Sequence, residues 1–114
     1  MHVLVCGSRE YKNSGKVFGV LDFIHSTKPI TRVIHGAAMG ADTFGMDWAK
    51  SRGVVEQGYE PDWRRYGNHA GNVRNQQMLD SERIDLVVAF ATGRGTRDMV
   101  RRATDAKISV VRIR

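Results

Sequence analysis

The sequence predicts an α/β protein: a doubly wound parallel sheet of about five strands with helices on both faces. Three observations carry that expectation. Short runs rich in Val, Leu and Ile, the pattern of strands buried on both faces, alternate with segments whose apolar residues recur at helical spacing. Glycine-rich turns separate strand from helix at three points along the chain. The 114 residues, 41% hydrophobic and 26% charged, match one globular domain of roughly 100 to 150 residues, without an accessory lobe. One domain over residues 1–114 is therefore expected.

Val3-Leu4-Val5-Cys6 is the first strand, stopped by Gly7-Ser8. Val17, Phe18, Leu21 and Ile24 then fall on one face of a helix, with Asn13 or Ser14 as N-cap and Lys28-Pro29 as its stop. Residues 32–35 read as the second strand, and Ala41, Phe44, Gly45, Trp48 and Ala49 as the inward stripe of a second helix closed by Gly53. Residues 54–59 are more polar and read as a third strand at a sheet edge. The stretch 60–71, with Pro61, Trp63, Arg64, Arg65, Tyr66 and Gly67, has no clean period and reads as a long loop with room for one helical turn. A polar helix over 72–82 follows, with Val73, Met78 and Leu79 as its apolar contacts. Residues 85–90 form the most strongly apolar strand, 96–107 a last helix with Met99, Val100, Ala103 and Ala106 inward, and 109–113 the last strand.

Regular alternation of strand and helix requires right-handed crossovers and parallel strands. A doubly wound sheet reverses direction once, and ligands bind at that reversal, beyond the carboxyl ends of the strands. Every strand-to-helix turn lies on that edge, so CGSREY at 6–11, HGAAMGAD at 35–42 and ATGRGT at 91–96 are read together. Glycine lets backbone N–H groups approach a phosphate closely, and the helix that follows adds partial positive charge. One such turn is equally well explained by tight packing; three converging turns point to an anion site.

Charge points the same way. The net charge is +6, residues 94–114 hold seven basic and two acidic groups, and thirteen of the eighteen cations are arginine, whose planar fork suits phosphate or carboxylate. The single cysteine, Cys6, excludes an internal disulfide, and His2, His25, His35 and His69 show no ligand-like spacing, so no metal or other cofactor is expected. No apolar run approaches the roughly 18 residues of a membrane span. Residues 1–10 hold a strand-like segment where a leader needs a cationic start, so the cytoplasm is the expected location. The pattern GxxxxGK[ST] is absent, and Gly93-Arg94-Gly95 lacks the third glycine of the dinucleotide fingerprint.

CGSREY at 6–11, RVIHGAAMGAD at 32–42, DW at 62–63, RNQQML at 74–79 and DLVVAFATGRGTRDMV at 85–100 stand in an order that resembles the YspA-like branch of the SLOG superfamily. That superfamily groups Rossmann-like nucleotide-ligand proteins with the Lonely Guy phosphoribohydrolases and the DNA-processing protein DprA. The resemblance runs essentially end to end. It implies a Rossmann-like sheet whose glycine turns hold the phosphate and ribose of a nucleotide or nucleotide-derived molecule. Gly7, Ser8 and Arg9 look like the family's first ligand loop, Gly36, Gly40 and Asp42 like its second, and Gly93, Gly95 and Thr96 like its third. Arg74 matches an arginine that takes part in catalysis in the Lonely Guy branch. That branch also carries a catalytic glutamate three residues beyond its Gly-Thr pair, where this chain has Met99, with Asp98 one position early.

On a helix a shift of one residue rotates a side chain by about 100°, so Asp98 is expected to point away from the ribose. Cleavage of an N-glycosidic bond needs a carboxylate beside the cationic sugar, and only Glu10, Asp42 and Asp98 lie near the predicted edge. Ligand binding is therefore the expected function, by a homo-oligomer. A phosphoribohydrolase with Arg74 and Asp98 as catalytic residues is the alternative.

Each candidate also has a bland role. Arg9 suits a surface ion pair with Glu10, and Asp42 suits any helix N-terminus. Arg74 and Asn75 stand on the early turns of a helix with little apolar surface, where a phosphate contact is favourable. His35 joins the ligand-facing set at the end of its strand, its other role being a hydrogen-bonded core histidine. Cys6 and Trp48 read as core. Trp63 and Tyr66 suit either stacking on a base or packing at an edge or dimer interface. Arg94, Arg97, Arg101 and Arg102 read as a solvated face, Arg94 also as a ligand contact, or together as a surface for single-stranded nucleic acid in the manner of DprA.

Overall fold

The computed structural model describes residues 1–114. The chain runs β1 (His2–Gly7), α1 (Ser14–Thr27), β2 (Arg32–His35), α2 (Ala41–Ser51), β3 (Val55–Gly58), α3 (Trp63–Tyr66), a single 3-10 turn (Gly67–His69), α4 (Ala70–Ser81), β4 (Leu86–Phe90), α5 (Arg94–Asp105) and β5 (Ser109–Ile113). The five strands form one sheet in the order β3-β2-β1-β4-β5, and every pair is parallel. The chain winds outward from β1 through β2 to β3, then returns to the other side of β1. The reversal lies between β1 and β4.

Alternation along the strands divides the core in two. Val3, Val5, Val33, Val88 and Phe90 face α1 and α2, where Val17, Leu21 and Trp48 cover them. Leu4, Ile34, Val87 and Ala89 face α4 and α5, covered by Met78, Met99, Val100 and Ala103. Burial on this scale, at about 25 cal/mol per Å² of apolar surface, is what stabilises the sheet. Asn13 caps α1, its Oδ1 accepting from the Lys16 N–H at 3.0 Å. No helix is long and apolar enough to cross a membrane.

Four expectations shift. The stretch 60–71 is more ordered than its composition indicates: Asp62 caps α3 by accepting from the Arg65 N–H at 3.1 Å, and α4 begins at Ala70, whose small side chain is buried. Val73 belongs to neither core. Ala106 lies beyond the end of α5 and is exposed, because the helix stops at Asp105. That helix also starts at Arg94, two residues ahead of the predicted Thr96, which places Gly95 and Thr96 inside its first turn.

Candidate functional site

The turns after β1, β2 and β4 meet at the carboxyl edge of the sheet and, with the start of α4, enclose a polar cleft of about 550 Å³. The turn after β2 is the most tightly held. Asp42, on the first turn of α2 and only 5% exposed, accepts from the Gly36 N–H at 2.8 Å and from the Ala38 N–H at 3.5 Å. Arg74, reaching across from α4, donates through Nη1 to the Gly36 carbonyl. A Cβ on Gly36 would lie 2.5 Å from that nitrogen, so only glycine admits the guanidinium. Gly40, at φ +78°, sits in the left-handed region and packs against the backbone carbonyls of Ser8 and Arg9, which fastens this turn to the one after β1.

From Arg74 the contacts continue toward α5. Its Nε donates to Asn75 Oδ1 at 3.0 Å, and Asn75 Nδ2 donates to the Gly95 carbonyl at 3.1 Å and to Asp98 Oδ2 at 3.0 Å. Asp98 in turn accepts from Arg102 Nε at 2.8 Å and Arg101 Nη2 at 2.9 Å. The buried members titrate accordingly. Burial pushes the Asp42 carboxyl up, against the pull of the Gly36 N–H and the Arg74 charge. Burial also pulls the Arg74 guanidinium down, opposed by Asp42. The Cys6 thiol on the cleft floor is pushed up by burial and by Asp42, so it stays protonated and is a poor nucleophile.

The start of α5 forms a further wall of the cleft. Gly93 is its N-cap and offers no side chain, while the Arg97 N–H is the first to bond back into the helix, to the Gly93 carbonyl at 2.9 Å. The N–H groups of Arg94, Gly95 and Thr96 therefore have no acceptor within the helix. They carry the positive end of its dipole toward the cleft, with no acidic residue on that first turn to neutralise it.

Of the predicted residues, Gly7, Ser8 and Arg9 from the first turn and Gly36 and Asp42 from the second line the cleft. Arg74 and Asn75 from α4, and Gly93, Arg94, Gly95 and Thr96 from the third turn, do so as well. His35 does not. It is buried against β3, with Nε2 2.7 Å from Glu56 Oε1 and Nδ1 accepting from the Ala37 N–H at 3.1 Å, which leaves neither nitrogen for a ligand. Gly40 does not line the cleft either; it packs against the Ser8 and Arg9 backbone and so joins the two turns. Asp98 is corrected in the other direction: it lines the cleft, since α5 begins early and Asn75 draws its carboxylate inward.

Sequence reasoning missed Asn68 and Asn72, which reach the cleft because the short helix, the 3-10 turn and α4 fold back over it. The available signal was Asp62, a helix cap three residues ahead of Arg65. Trp63 also reaches the cleft, with the Arg9 guanidinium 5.6 Å from its ring centre; Tyr66 does not. No group of three or more His, Cys, Asp or Glu side chains is placed to hold a metal ion.

The model of a protein family described as the YspA, cpYpsA-related SLOG family matches residues 1–66. The chain is 35% identical over 117 residues to the Gene 61 protein of Mycobacterium phage D29, a match that covers 96% of this chain and 93% of that protein. Among solved structures it resembles the Moco Carrier Protein from Chlamydomonas reinhardtii at a TM-score of 0.66 and 19% identity, over 98% of this chain and 75% of the other. At that identity the likeness is one of fold.

Proposed function

The chain belongs to the YspA, cpYpsA-related SLOG family, and on that premise we propose that it is a binding module for a nucleotide or nucleotide-derived small molecule. The observation that carries this reading is that two donor sets line one polar cleft at the sheet reversal. They are the free amides of Arg94, Gly95 and Thr96 and the half-buried Arg74 guanidinium, joined through Asn75. A phosphate between them gains charge-assisted hydrogen bonds, each contributing about 1.5 to 3 kcal/mol. Arg9 adds charge at the rim. Asp42 serves chiefly to hold the turn, so a ribose contact falls to its second oxygen.

Binding is favoured over cleavage because two of the three carboxylates at the edge, Asp42 and Asp98, are held by other groups, and the third, Glu10, is an exposed side chain that nothing holds in place. Both oxygens of Asp98 are engaged, one by Arg101 and the other by Asn75 and Arg102. Oδ2 of Asp42 is committed to the Gly36 and Ala38 N–H groups, and burial favours its neutral form. The engaged Asp98 carboxylate is a poor base and a poor partner for a cationic sugar. The fold neighbour is likewise named a carrier. The hydrolase reading, with Arg74 and Asp98 acting together, is kept because Asp98 faces the cleft. The nucleic-acid reading loses ground because Arg101 and Arg102, half of the basic run, are paired with Asp98.

The test is thermal unfolding against AMP, ADP-ribose, NAD, cyclic nucleotides and a short single-stranded oligonucleotide. A native-state ligand raises the midpoint by mass action. A rise with a mononucleotide that is recovered intact supports the binding module. A rise with the oligonucleotide alone, lost on adding salt, overturns it in favour of nucleic acid.

A further inference from the structure

Beside the main cleft lies a second, smaller hollow of about 340 Å³. Arg9, Gly36, Ala38, Trp63 and Arg74 border both spaces. Beyond that shared ridge the second hollow is bordered by Ala37, Met39, Glu60 and Pro61. What it adds to the shared ridge is thus mostly apolar, a methyl group, a thioether and a proline ring, with one carboxylate.

Met39 is 73% exposed and Trp63 49%, both bordering the one hollow, whereas the exposed Phe23, Val55 and Val111 stand on other elements, α1, β3 and β5. Covering apolar surface of this kind is favourable, and a flat aromatic ring covers it best. Trp63 is also held in place. It opens α3 directly after the Asp62 cap, and the Arg9 guanidinium lies over its ring. Tyr66, the other aromatic of this stretch, borders neither hollow and lies under Arg65 instead. Glu60, the one carboxylate on the smaller hollow, opposes a second phosphate there and can accept from a ring N–H.

Resting on the reading that the main cleft takes the phosphate, we propose that the smaller hollow is a subsite for a planar heteroaromatic base stacked on Trp63. The ligand class is then a nucleoside monophosphate laid across the ridge of Arg9 and Arg74, phosphate on one side and base on the other. Stacking on an aromatic side chain is sequence-tolerant, so the subsite selects for the presence of a base before it selects among bases.

The two tryptophans make this directly readable. Trp48 is fully buried with its indole N–H on Asp22 at 2.8 Å, so quenching of tryptophan fluorescence by a ligand reports on Trp63. The full chain is titrated with AMP, GMP, ribose 5-phosphate and inorganic phosphate, following fluorescence and heat. The expected result is quenching by AMP and GMP only, with affinity about tenfold or more above ribose 5-phosphate. Trp63→Ala erases that ratio and Trp63→Phe restores most of it, circular dichroism confirming that both variants fold. Equal affinity for nucleotides and ribose 5-phosphate, or a ratio unchanged in Trp63→Ala, overturns the base subsite while leaving the phosphate cleft standing. No binding of any phosphate-bearing probe overturns both.

Discussion

Asp42 and Arg74 hold Gly36 between them, the carboxylate at its N–H and the guanidinium at its carbonyl. One residue comes from α2 and the other from α4, so the turn after β2 is clamped by elements on opposite faces of the sheet. Neither charge is well solvated, and each lowers the cost of burying the other.

Arg74→Ala removes half of this clamp and leaves both the Gly36 carbonyl and the Asp42 charge without their partner. The loss of a hydrogen bond to a charged group predicts a destabilisation of about 1.5 to 3 kcal/mol, read from urea unfolding. Affinity for AMP falls by tenfold or more in the same protein. A folded Arg74→Ala variant that binds AMP as tightly as the parent shows that the phosphate does not meet this side chain.

Two glycines of the site respond in opposite directions to alanine. Gly40 lies at φ +78° against the Ser8 and Arg9 carbonyls, so Gly40→Ala destabilises by about 1 kcal/mol or more. Gly95 is in the first turn of α5 and a Cβ there meets nothing within 4 Å, so Gly95→Ala stabilises by a few tenths to about 1 kcal/mol through helix propensity. Chemical denaturation of the pair decides the matter.

Carboxylates of opposite shift give stability a signed dependence on pH. Asp42 has its folded value raised by burial, so the folded state holds this proton longer than the unfolded chain does. Its contribution is fully present below the ordinary carboxylate range and is lost as pH rises through the raised value. Glu82 is the reverse: hydrogen bonds from Arg32 lower its value, so its stabilisation is present above the ordinary range and is lost as pH falls through the lowered value. Unfolding free energies from pH 3 to 7, a range set by ordinary carboxylates at about 3.9 to 4.3, then separate two variants. Asp42→Asn gains on the parent as pH rises, and Glu82→Gln loses most at neutral pH and little in acid.

Prolonged incubation with AMP should return the nucleotide intact, because the Asp98 carboxylate is fully engaged. Chromatography of the mixture checks this. Free adenine above the uncatalysed background, abolished by Asp98→Asn, establishes the hydrolase instead.

The middle of the sheet was legible because β1 and β4 are short, apolar and buried on both faces. Strand order was not, since nothing local in β3 or β5 says which neighbour it pairs with. The turns were legible through their glycines. The clamp was not, because Arg74 and Asp42 are 32 positions apart and their meeting depends on how α4 crosses the sheet. His35 misled for a related reason: the end of a strand predicts the edge a side chain reaches, while Glu56 on the neighbouring strand decides which way it turns.

The chain of contacts from Asp42 through Gly36, Arg74 and Asn75 to Asp98 begins on α2 and ends on α5. It therefore crosses from one hydrophobic core to the other just past the ends of the strands, where the sheet no longer separates them. A chain of this size ordinarily unfolds in one cooperative step, which requires its two cores to be coupled. Here the bridge couples the layers, and a ligand seated in the cleft acts as a rivet through both. Occupancy should then sharpen the unfolding transition as well as raise it, so that the width of the melt carries information about the bound state.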